Sequence, residues 1–173
     1  MPFQSRFLTV ILWLFVINMG IELGGGLYEI QVITPIVTYN PPESVIQFFN
    51  MQKTHPEQAI QAGRRFWKFT SQPLGLLAVS VLILGVRARG NQRKWLLSSS
   101  LLVILLFLVT YLYFVPTLNQ LANSRQLGLR DEEVISQVTT WMRLNQIRLL
   151  VYMLAWLAGL RALTYTALQT RIS

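Results

Sequence analysis

The stretch LLVYMLAWLAGL, residues 149–160, contains no charged side chain, yet WMRLNQIR, residues 141–148, stands directly in front of it with Arg143, Asn145 and Arg148. Taken from Ile147 to about Leu168, the run reaches the roughly 20 mostly apolar residues that an α-helix needs to cross a bilayer. Three more segments follow the same pattern: Phe7 to about Tyr28, Pro73 to Val86 with an amphipathic lead-in, and Trp95 to Val115. The second is short unless it begins near Phe66, with Phe66, Trp67 and Phe69 as interfacial aromatics.

Composition agrees. The 173 residues are 53% hydrophobic and only 13% charged, against about 25% charged in soluble domains. The expected fold is all-α: an integral membrane four-helix bundle, with short amphipathic helices in the two longer connections and a single four-span domain over residues 1–173. The first segment is longer than the apolar core of a cleaved leader and ends in Glu22 and Gly24–Gly26 without an A-x-A pattern, so it reads as a retained span.

The formal charge of +8 would suggest nucleic acid in a soluble protein. Here the basic residues gather in short segments around the apolar runs, so no nucleic-acid partner is expected and membrane lipid is. VRARGNQRKW, between the second and third segments, holds Arg87, Arg89, Arg93 and Lys94 without an acid, the mark of a cytoplasmic loop. Both termini then lie in the cytoplasm, and the connections at roughly 30–66 and 116–145 lie on the other side. DEEVISQVTTWMRLNQIR has acids in its first turn and Val134, Val138 and Trp141 at helical spacing, which predicts a helix in the second connection.

Absences narrow the chemistry. Cysteine is lacking, so disulfides, thiolate metal sites and thiol redox chemistry are excluded. With one histidine, no zinc, non-haem iron or di-iron ligand set can be assembled, so no metal is expected, and any redox chemistry is either cofactor-free or uses a loosely bound organic cofactor. P-loop, nucleophile-elbow and metalloprotease patterns are missing.

Polar residues converge instead at one membrane end. Asn18, Glu22 and Glu29 share roughly one face of the first span, and ionisable residues inside spans are functional candidates by default. Glu22, placed roughly 24 Å along the helix from Arg6, belongs near the far edge of the hydrocarbon. Trp141, Asn145 and Arg148, spaced i, i+4, i+7, project from one face at that level, and Arg64, Arg65 and Trp67 enter the second span there. Two readings are open. Arg148 pairs structurally with Glu22 or Glu29 while the tryptophans form an interfacial belt, or the surplus positive charge serves an anionic or enolate-like guest. Gly24, Gly25 and Gly26 either admit a neighbouring helix or weaken the helix so that it unwinds at a site. His55 is a surface bystander or the one group suited to proton transfer near neutral pH.

The span pattern, the aromatic-rich FFNMQKTHPEQAIQAGRRFW of the first connection and the Trp141-x-x-x-Asn145-x-x-Arg148 signature resemble the anthrone oxygenase-like family of small four-span membrane proteins, many of them of unknown function. The resemblance implies the four-span fold and a cofactor-free oxidation of a flat aromatic, anthrone to quinone, by dioxygen. On it, His55 or Glu22 is the base, Arg148 and Arg64 stabilise the enolate oxygen, Asn145 orients the substrate carbonyl, and Trp141 and Trp67 hold the rings beside Glu29. This chain differs in its single histidine and its three consecutive glycines. The alternative from a different class is an accessory or assembly subunit of a larger membrane complex, with the polar cluster as internal glue.

Overall fold

The computed structural model describes the backbone of residues 3–54 and 60–172 and the side chains of 7–48 and 65–166. Its elements in order are α1 (Phe3–Tyr28), a π-helical turn (Glu29–Ile33), α2 (Thr34–Thr38), α3 (Glu43–Thr54), α4 (Ile60–Arg87), α5 (Gly90–Val109), a second π-helical turn (Thr110–Phe114), α6 (Val115–Ala122) and α7 (Asp131–Ile172). Among the described residues there is no strand.

Four helical stretches are long and apolar enough to cross a membrane: Phe7–Thr38, Arg65–Arg87, Gly90–Ala122 and Asp131–Thr166. The chain is an integral, multi-pass membrane protein, and each helix packs against two neighbours in the ring α1, α4, α5, α7. Phe69, Leu76, Leu101, Leu105 and Leu112 point outward, exposed in the isolated chain, as lipid-facing side chains do.

Helices run further than the apolar segments. The second span does begin with the aromatic lead-in. The first and third continue past Tyr28 and Val115 to Thr38 and Ala122, each through a π-helical turn. The physical reason is proline: Pro35 and Pro116 fall at the start of α2 and α6, and the widened turn before each separates its ring from the preceding carbonyls without ending the helix. The helix expected in the second connection is present and runs unbroken into the fourth span, making α7 42 residues long. Asp131, Glu132 and Glu133 occupy its first turn, and the Glu133 carboxylate accepts the Arg130 backbone N–H at 2.9 Å.

Two apolar cores result. Leu12, Phe15, Val16, Met19, Leu74, Ala78, Val81, Leu96, Val103, Ala155 and Ala162 fill the bundle. Val37, Val45, Leu121, Val134 and Val138 form a second cluster where α2, α3 and α6 close over the start of α7. Lipid tails are as apolar as leucine, so close approach and interhelical hydrogen bonds hold such a bundle. Ser99 donates to Ala155 O at 2.7 Å, Trp156 Nε1 to Val16 O at 3.1 Å and Gln92 Nε2 to Thr166 Oγ1 at 2.6 Å, tying α7 to both flanking helices.

Candidate functional site

Between the two cores the helices carry a polar layer. Glu22 on α1 is 4% exposed, and its Oε1 accepts a 2.8 Å hydrogen bond from Ser71 Oγ on α4. Tyr152 and Arg148 on α7 also act on this carboxylate, while the neighbouring Thr70 hydroxyl donates to Phe66 O in its own helix. Glu29, first residue of the π-helical turn in the first span, feels the same guanidinium.

Arg148 is held from a third direction. Its Cζ lies 4.5 Å from the centre of the Phe114 ring, a cation–π contact that gains strength where water is scarce. Phe114 ends the other π-helical turn and is itself 2% exposed. The Trp141 ring meets it edge-on with centroids 6.2 Å apart. Arg148 and Trp141 thus share one aromatic ring, with buried Asn145 between them in sequence.

Arg148 closes no direct ion pair with either glutamate. The ion pairs among the described residues are Arg125–Asp131 at 3.0 Å and Arg130–Glu133 at 3.2 Å, both outside the bundle. The buried Glu22 carboxylate and the half-buried Arg148 guanidinium are therefore not consumed in a contact pair, and an oxygen-bearing guest could bridge them.

Glycines shape the wall. α1 stays helical through Gly24–Gly26, so the chain does not unwind there. A Cβ on Gly25 would meet Phe66 Cε1 at 2.5 Å and Trp67 Cη2 at 3.4 Å, and one on Gly26 would meet Leu149 Cδ1 at 2.8 Å, whereas nothing lies within 4 Å of Gly24. The triplet admits α4 and α7 at close range, and Trp67 enters the wall through this contact.

Of the residues expected from sequence, Glu22, Glu29, Trp141, Asn145 and Arg148 fall in this layer, with Trp67 against α1 beside it. His55 lies outside the described residues, as does the side chain of Arg64. Among the described residues no three His, Asp or Glu side chains come together as metal ligands do. Sequence reasoning missed Thr70, Ser71, Phe114 and Tyr152, none of which carries a charge to mark it within an apolar run.

A family model described as anthrone oxygenase matches residues 64–158. The chain belongs to the anthrone oxygenase family. The match spans α4, α5, α6 and much of α7, so the anthrone oxygenase segment contains Thr70, Ser71, Phe114, Trp141, Asn145, Arg148 and Tyr152, while Glu22 and Glu29 come from the span that precedes it. Neither the curated proteins nor the solved structures compared with the chain gave a match.

Proposed function

We propose that the polar layer binds a flat aromatic ketone of the anthrone class and oxidises it with dioxygen, the protein supplying a base and an anion site but no bound cofactor. What supports this reading is the family together with one observation: buried Glu22 and half-buried Arg148 act on one another between the helices without forming a direct ion pair.

A ketone flanked by fused rings has an acidic C–H, because the carbanion left behind is an enolate spread over the rings. Glu22 takes that proton. The enolate oxygen rests on Arg148, whose stacking on Phe114 keeps the guanidinium oriented before charge develops. Asn145 donates to the same oxygen, and Trp141 and Trp67 bound the ring system. His55 remains the other candidate base.

The carbanion then passes one electron to dioxygen, and the resulting radical and superoxide combine, forming a C–O bond and a peroxide anion. Glu22 returns its proton to the distal oxygen. Loss of the second proton on that carbon, with cleavage of the O–O bond and departure of hydroxide, leaves a new carbonyl. One oxygen atom of dioxygen ends in the quinone and the other in water, so the substrate supplies all four electrons.

The test is oxygen uptake by the purified protein in nanodiscs, with anthrone as substrate. Uptake equimolar with quinone formed, above the uncatalysed rate, is expected. Removing one preorganised donor to a developing oxyanion costs about 10²–10³-fold in turnover, so Arg148→Ala should lose that much while remaining inserted in the membrane. A wild-type protein that leaves the uncatalysed rate unchanged would overturn the proposal.

A further inference from the structure

Two buried polar atoms on α7 stand outside the reaction just described. The indole N–H of Trp141 has no acceptor and the side-chain carbonyl oxygen of Gln137 has no donor, although both atoms are removed from solvent. Trp141 as a whole is only 8% exposed. An unmet buried donor or acceptor costs about 1–3 kcal/mol, so two of them one helical turn apart call for a partner.

Their chemistry is complementary. Residues i and i+4 share a face of a helix, which puts Gln137 and Trp141 on the same side of α7. An indole N–H can only donate, and an amide carbonyl oxygen can only accept. A hydroxyl group satisfies both at once, its oxygen taking the Trp141 hydrogen and its hydrogen going to Gln137. A ketone or quinone oxygen satisfies only the first, and a carboxylate would leave Gln137 unmet. The neighbourhood is otherwise apolar, with Val134 and Val138 in the second core and Phe114 against Trp141. Arg148 lies on that same Phe114 ring, so the pair and the guanidinium share one aromatic neighbour.

We infer that Trp141 and Gln137 form a hydroxyl-binding subsite on the connection side of Arg148, selecting ligands whose ring distant from the ketone carries a neutral hydroxyl. The inference rests on the ligand-binding part of the proposed function and deepens it by assigning two residues of this chain to hydroxyl recognition. A trapped water would satisfy the same two atoms, and the experiment separates the two sources of oxygen.

The probes are 1-naphthol and naphthalene, which differ by one hydroxyl, titrated into the full-length protein in nanodiscs by calorimetry. A subsite that recognises the hydroxyl should favour 1-naphthol by about tenfold. Gln137→Leu, close in size and lacking the acceptor, should bring the ratio towards unity without weakening naphthalene, and Trp141→Phe, which keeps a ring against Phe114, should bring the ratio towards unity as well. Gln137→Leu decides the matter if Trp141→Phe fails to fold. Equal binding of the probes by the wild type would mean that water fills the subsite, and would overturn the inference. So would a preference that survives Gln137→Leu. Failure of both probes to bind would sink the pocket and the subsite together. A hydroxyl preference lost in Gln137→Leu, in a preparation that consumes no oxygen with anthrone, would uphold the subsite and sink the oxygenase reading.

Discussion

Arg148 owes its position to a ring rather than to an anion, with Phe114 4.5 Å beneath its guanidinium and Glu22 and Glu29 acting on it from the first span. Charged residues inside a span are costly and seldom placed idly, which is why Glu22, Glu29 and Arg148 stood out in the sequence. The groups that complete the layer were silent for a physical reason. Hydroxyl residues in these helices commonly bond their own preceding turn, as Thr70 does to Phe66 O, Ser80 to Leu76 O and Thr166 to Ala162 O. Ser71 looks no different in sequence, yet it reaches across to Glu22. The glycine triplet offers a test at this scale. Gly24→Ala should be neutral or stabilise by up to about 1 kcal/mol through helix propensity. Gly25→Ala and Gly26→Ala, which press on Phe66 and Leu149, should each destabilise by about 1–3 kcal/mol. Unfolding by sodium dodecyl sulfate in mixed micelles reads the difference, and three equal responses would contradict the packing role.

At the scale of elements, the two π-helical turns decide where two site residues point. One begins with Glu29 and the other ends with Phe114, and each precedes a proline. Such turns recur at functional sites, because one extra residue per turn re-aims what lies beyond it. Replacing Pro116 by alanine removes the steric reason for the second turn. If the segment relaxes to a regular helix, residues on one side of it rotate by about 100° relative to the other. Pro116→Ala is therefore expected to raise thermal stability slightly while lowering oxygen uptake at least tenfold, about the loss from one misplaced contact. Unchanged uptake would show that the turn has no part in the site. Neither turn was legible in the sequence. A proline reads as a stop in water, whereas within a membrane the freed carbonyls find partners in a widened turn and the helix goes on. The four apolar runs were legible because burial in lipid demands length and apolarity in consecutive residues, whatever the packing.

For the whole molecule, the layered arrangement follows from what each layer touches. Lipid surrounds an apolar core, the connections cap a second core, and polar groups collect at the joint. The basic VRARGNQRKW link predicts that the α4–α5 turn faces the cytoplasm and the cap the opposite compartment. Single cysteines introduced as Asn91→Cys and Gln126→Cys, both exposed, should label with an impermeant maleimide from opposite sides of sealed vesicles, position 91 from the cytoplasmic side. Labelling of both from one side would contradict the topology. What sequence could not supply at this scale is the meeting of Glu22 with Ser71, Arg148 and Tyr152, because three separate helices bring those groups together.

The central claim is that Glu22 removes a carbon-bound proton while Arg148 holds the resulting enolate, and it can be tested with oxygen excluded. Anthrone incubated anaerobically with the protein in deuterated buffer should exchange its methylene hydrogens faster than in buffer alone, followed by proton NMR. Glu22→Gln, similar in shape but unable to serve as the base, should lower the exchange rate by at least 10²-fold, as expected for a general base, while the protein stays folded and inserted. Exchange as fast in Glu22→Gln as in the wild type would contradict the claim and move the base elsewhere.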